Sequence, residues 1–135
     1  MSIIQNQEFE NDGLYLHDPT WITKCKFFNI SGLNPDHHGC EMWGTGEYSS
    51  DPMYVFSECV FDNAGISPDS YDEGAALINA PNVVFDRCRF AHWGKAALVG
   101  NGDYPENDVN LRVIFKNCIF EHNGRRSPYI QYGTA

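Results

Sequence analysis

Basic side chains are scarce in this 135-residue chain: nine Lys and Arg stand against eighteen Asp and Glu, for a net charge of −9. That deficit argues against nucleic acid as a partner, because affinity for a phosphate backbone rests on clustered cations. It also opposes unaided attraction to any other polyanion. No window is long and apolar enough to cross a membrane as a helix, so no membrane association is expected. The first residues lack the basic region and hydrophobic segment of a secretory leader. No helical apolar stripe is present. The five cysteines include no CxxC pair and no Cys/His spacing suited to structural zinc.

What the chain does contain is a repeated strand pattern. Counting back from a phenylalanine, apolar positions lie seven, five and two residues earlier: Val83, Phe85, Cys88, Phe90, and again Val113, Phe115, Cys118, Phe120. Tyr54, Phe56, Cys59, Phe61 and Thr20, Ile22, Cys25, Phe27 repeat it, and Ile4, Gln7 and Phe9 form a degenerate fifth copy. In each copy the alternation slips by one residue at a polar pair: Gln5-Asn6, Thr23-Lys24, Ser57-Glu58, Asp86-Arg87 and Lys116-Asn117. A straight strand with such a slip would turn its second half to the opposite face. A chain that bends at the pair keeps both halves on one interior.

Each phenylalanine is followed by a short polar turn ("ENDG", "FNISG", "DNAG", "AHWG", "EHNG"). Second apolar runs then come at 14–16, 40–43, 75–78, 96–99 and 129–132. The unit reads strand, corner, strand, turn, strand. Fixed-pattern units of this length bury their apolar side only by stacking on neighbours. The expected fold is therefore all-β, a parallel β-helix solenoid of about five coils in one domain spanning residues 1–135, with Phe stacked on Phe and Cys on Cys. Four of the cysteines share one inward slot, which favours stacked core thiols over disulfides, while Cys40 lies outside that ladder. The chain enters its first coil at Ser2 and ends just after a strand, with no amphipathic helix as a lid at either end. Continuation of the β-helix or self-association through open coil ends is the corresponding expectation.

Insertions at 30–53 and 62–74, with an acidic loop at 101–110, depart from the compact unit. In solenoids such insertions gather on one face, often the binding face. "DHHG" at 36–39 offers histidines for metal or acid–base work, and Trp43, Trp93, Tyr48, Tyr129 and Tyr132 are candidate platforms for sugar rings.

Residues 73–133 resemble the pectate lyases of the right-handed parallel β-helix class. "NVVFDRCRFAHWGKAALVGNGD" followed by "LRVIFKNCIFEHNGRRSPYIQYG" is similar, in motif order, to that family's V-T-x-S-x-N-x-F strand and K-A-x-L-x-G segment, then a V-T-x-H-x-N-x-F strand and an R-x-P-x-x-R-x-G segment. The resemblance implies a substrate-binding role for Lys95, a catalytic role for Arg126, and structural roles for Pro128 and Gly133. It further implies a calcium-dependent β-elimination on a uronate polysaccharide and an extracellular location. In that chemistry a base removes the proton next to a carboxylate while cations stabilise the developing negative charge.

Two positions depart from the family. Gln131 stands where the second arginine is expected, and Leu77 stands where a calcium-binding carboxylate would follow Glu73. Asp72, with Asp69 and Asp36, is the remaining oxygen source for Ca2+, which takes about six to eight oxygen ligands. Residue chemistry alone also accommodates Lys95 as a solvated charge, and Arg125 and Arg126 as bridges to acidic coils.

The resulting expectation is a protein that recognises an acidic polysaccharide in a groove. Lys95, Arg125, Arg126, Gln131, Tyr132 and Trp43 would meet the glycan, Glu73 and Asp72 would meet the metal, and the elimination step would be weak or absent. The alternative is a non-catalytic structural module or tail-spike-like adhesin whose open coil ends are its interfaces.

Overall fold

The polar pairs are corners. Asn6, Lys24, Glu58, Arg87 and Asn117, the second member of each pair, hold φ between 53° and 55°. This left-handed backbone costs an L-residue about 1–2 kcal/mol. The cost is offset because the corner's polar groups are bonded from repeat to repeat. Lys24 N donates to Ser57 O at 2.9 Å, Glu58 N to Asp86 O at 2.9 Å, and Arg87 N to Lys116 O at 2.8 Å. The cysteines fill the corner from inside. Cys59 Sγ donates to Ser57 O at 3.5 Å and reaches Ile22 O of the preceding repeat at 3.4 Å, and Cys25, Cys88 and Cys118 repeat the geometry. All five cysteines are free thiols. Glu58→Val, which forces a β-branched residue to φ 54°, should cost about 1–2 kcal/mol in urea unfolding, while Glu58→Gly should be neutral within about 1 kcal/mol.

The computed structural model describes residues 1–31, 38–44, 51–65, 74–94, 99–100, 111–124 and 133–134, and these contain strands and no helix. The chain visits three parallel sheets in rotation. Sheet A holds β1 (Ser2–Gln5), β4 (Thr20–Thr23), β7 (Tyr54–Ser57), β10 (Val83–Asp86), β13 (Leu111–Lys116) and β15 (Gly133–Thr134). Sheet B holds β2 (Glu8–Asn11), β5 (Lys26–Ile30), β8 (Val60–Asp62), β11 (Arg89–Ala91) and β14 (Ile119–Glu121). Sheet C holds β3 (Leu14–Leu16), β6 (Cys40–Trp43), β9 (Ala76–Asn79) and β12 (Val99–Gly100).

The pairing register is the one the repeat demands. Phe9 pairs with Phe27, Phe27 with Phe61, Phe61 with Phe90, and Phe90 with Phe120. Their rings stack 4.5–5.0 Å apart with planes within 14°. A second stack runs Phe56, Phe85, Phe115 along sheet A and meets the first edge to face. Such edge-to-face contacts add to the burial of ring area. Sheet C closes on the same buried cluster through Leu16, Cys40, Met42, Ala76 and Ile78. Cys40 therefore is a core thiol too, but of sheet C rather than of the corner ladder.

A second bend follows each phenylalanine. Asn11, Asn29, His92 and His122 take φ of 50–72° there. The third repeat uses Asn63 instead, buried, with its side-chain amide accepting from Ile30 N at 2.6 Å and donating to Ile30 O at 3.3 Å. Glycine closes these bends where backbones nearly touch: a Cβ on Gly124 would lie 1.5 Å from Gly94 O, and one on Gly13 would lie 2.2 Å from Gly39 O.

One strand boundary differs from the sequence reading. The run expected at 75–78 is paired over Ala76–Asn79; of the run expected at 96–99, Val99 is described and lies in the paired strand Val99–Gly100, while 96–98 lie outside the described residues. Short apolar runs rich in Ala fix an inward face but not where pairing starts. The run at 129–132 lies outside the described residues.

Candidate functional site

Alternation in sheet C decides what faces outward. Leu14 and Leu16 belong to the apolar cluster, so Tyr15 between them points away; Cys40 and Met42 are core, so Glu41 and Trp43 point away. The register sets Tyr15, Glu41 and Leu77 side by side and pairs Trp43 with Asn79. The Tyr15 ring, 47% exposed, lies 6.3 Å from Trp43 and 4.6 Å from His17. Below this aromatic group Glu41 is buried, with Trp43 Nε1 donating to its Oε1 at 3.2 Å and His38 Nδ1 3.7 Å from its Oε2. A buried carboxylate is tolerated only with such partners. Tyr54, rising from the core, donates its hydroxyl to Trp43 O at 2.6 Å and so anchors the strand beneath the site. Burial pushes the Tyr54 phenol well up, with Cys40 and Asp18 adding to the shift.

Chemically this surface is an aromatic platform with a fixed hydrogen-bond acceptor beneath it. The insertions flanking β6 and preceding β9 join it in sequence. The described residues of sheet C carry no Lys or Arg, so they provide no cation for an elimination's developing charge. Glu41's register neighbour is the apolar Leu77, and no described group of three or more His, Cys, Asp or Glu is arranged to hold a metal.

Of the site residues expected from sequence, Trp43 is described and lies on this platform. Lys95, Arg125, Arg126, Gln131, Tyr132, Glu73 and Asp72 lie outside the described residues, as do Tyr48, Tyr129, Asp36 and Asp69. Within "DHHG", His38 is the buried neighbour of Glu41. Trp93 is not a sugar platform: it is 1% exposed, and its Nε1 donates to Phe61 O at 3.2 Å. The "AHWG" turn tucks its ring inward, where indole area is worth more than it is in water. Tyr15 and Glu41 escaped the sequence reading, although the signal was there: each stands at the outward position of a period-two run.

Sheet B carries a separate charged row. Arg89 Nη1 donates to Asp62 at 2.8 Å and its Nε donates to Glu121 on the other side, while His92 Nδ1 lies 2.9 Å from Asp62 Oδ1 and its ring stacks on His122 at 5.3 Å. Partial burial pushes the Asp62 carboxyl up, but hydrogen bonds from Arg89, His92 and Ala64 N outweigh it and hold the group below the usual carboxylate range. A depressed carboxyl contributes stability above its unfolded pKa of about 3.9 and loses it as pH falls through the lower folded value. Asp62→Asn should therefore flatten the acid limb of a stability–pH profile below about pH 4, read by urea midpoints.

Comparison of the chain with protein-family models, with curated proteins and with solved structures gives no match.

Proposed function

We propose that the chain is a right-handed parallel β-helix that recognises an acidic polysaccharide along the outer face of sheet C, with little or no elimination activity. The observation that carries this reading is the Tyr15–Trp43 pair above the buried Glu41–His38 pair. Aromatic faces suit the C–H faces of pyranose rings, and the buried carboxylate fixes the Trp43 indole by accepting from its Nε1. In the pectate lyase resemblance Lys95 would bind the uronate and Arg126 would be the catalytic arginine; Arg125, Gln131 and Tyr132 would meet the glycan beside them. Any calcium would be held by Glu73 and Asp72, and would bridge substrate carboxylates to an acidic protein. Gln131 and Leu77 weaken the chemistry but not the binding.

The experiment is a titration of the chain with polygalacturonate and with a neutral glucan, each with and without calcium, while ultraviolet absorbance follows unsaturated product. Saturable binding of the uronate polymer without product is expected, and Tyr15→Ala with Trp43→Ala should weaken it by about tenfold or more, roughly 1.4 kcal/mol. Robust calcium-dependent cleavage would overturn the inactive-site part. Absence of affinity for every uronate polymer would overturn the whole.

One observation favours an assembly module as the second reading. The outer face of sheet A is an apolar row, Ile3, Trp21, Val55, Val84 and Ile114, in register across five strands. Ile3 is 63% and Trp21 47% exposed, and a groove of about 370 Å³ lies along Val55, Val84 and Ile114. Self-association abolished by Trp21→Lys, in a chain that binds no glycan, would support it.

A further inference from the structure

The corner ladder brings four thiols into one line and leaves its last described member open. Cys25, Cys59 and Cys88 are each at most 2% exposed, whereas Cys118 is only half-buried. Cys118 sits one repeat beyond Cys88, fixed by the flanking register pairs Phe85–Phe115 and Arg89–Ile119, and its Sγ reaches back to Phe85 O of the Cys88 repeat at 3.4 Å. Neighbouring strands of a sheet stand about 4.8 Å apart. That spacing falls within the Cα separation of about 4.4–6.8 Å that a disulfide spans. Cys40, in sheet C, has no part in this line.

We propose that Cys118 and Cys88 form an oxidisable dithiol, in which a hydroperoxide oxidises Cys118 first and Cys88 resolves it into a disulfide joining two repeats. In the first step the Cys118 thiolate attacks one peroxide oxygen and the O–O bond breaks. The departing oxygen leaves as hydroxide or alkoxide, takes up the proton released by the thiol, and Cys118 becomes a sulfenic acid. In the second step the Cys88 sulfur displaces that hydroxyl: the S–S bond forms, the S–O bond breaks, and the Cys88 proton leaves with the hydroxyl as water. Two thiols thus lose two electrons and the peroxide gains them.

Accessibility selects the order. A peroxide reaches the half-buried Cys118 but not the buried members of the ladder, and the buried thiol one strand away in register is placed to resolve it. The neighbouring Cys88 thiol also holds the Cys118 thiol down to about 7, against its partial burial, whereas Cys118, then Cys59, then burial push the Cys88 thiol up. Thiolate is the attacking form, so oxidation should accelerate as pH rises through that value.

The test uses the full chain treated with hydrogen peroxide in the absence of other thiols, followed by intact mass and non-reducing peptide mapping. Loss of two hydrogens with a single Cys88–Cys118 crosslink is expected. Cys118→Ser, at the half-buried position, should abolish the crosslink while circular dichroism stays unchanged. Cys88→Ala should leave Cys118 as a sulfenic acid captured by a dimedone probe. Three results overturn the proposal: Cys118 unreacted, Cys118 carried to sulfinic acid or to an intermolecular disulfide while Cys88 stays reduced, or a Cys59–Cys88 crosslink. The mapping on the unmutated chain decides among these even if a variant fails to fold.

Discussion

Phe90→Ala is expected to lower the free energy of unfolding by about 3–5 kcal/mol, the largest effect of any single truncation considered. Phe90 is fully buried, stacks at 5.0 Å on Phe61 and 4.9 Å on Phe120, and meets Phe85 and Phe115 edge to face. Removing the ring takes away its transfer free energy and opens a cavity. The backbone hydrogen bonds of β8, β11 and β14 resist collapse into that space, because they hold Phe61 and Phe120 at the strand spacing. Phe120→Ala, at a half-buried end of the stack, should cost clearly less. Urea unfolding of both variants measures the difference, and equal costs would mean that the stack is not the continuous core it is taken to be.

Asn63→Ala should cost about 2–4 kcal/mol, because it strips a partner from both the N–H and the C=O of Ile30, and each buried orphan costs about 1–3 kcal/mol. Ile30 is itself buried at the end of β5, so water does not replace the amide. Asn63→Asp is the sharper probe: it keeps an acceptor for Ile30 N but loses the donor to Ile30 O and buries a charge. It should be at least as destabilising at neutral pH and recover in part in acid, where the carboxyl regains a proton. Thermal melts at two pH values read this directly; no pH dependence would show that Asn63 acts only through its volume.

Much of the architecture was written in one-dimensional spacing. Apolar residues at seven, five, two and zero, with a polar pair at each slip of phase, are enough to place a corner, and the left-handed φ of Asn6, Lys24, Glu58, Arg87 and Asn117 is the physical form of that slip. The phenylalanine stack and the cysteine ladder follow, because stacking identical repeats in register superposes identical positions. Nothing comparable marks a site. Tyr15 and Trp43 are 28 residues apart in sequence and neighbours only because β3 pairs β6 in one register. Glu41 was invisible as a buried carboxylate until His38 and the Trp43 indole closed on it. Trp93, by contrast, looked like a surface aromatic in a polar turn and is core, since its turn folds inward onto Phe61 O. By itself the sequence determined the repeat, its corners and which side chains face the interior, because those depend on local alternation and on steric limits of the backbone. Only the tertiary structure decided which outward residues meet across strands, and which thiol of the ladder stays within reach of solvent, because register and burial are properties of several repeats at once.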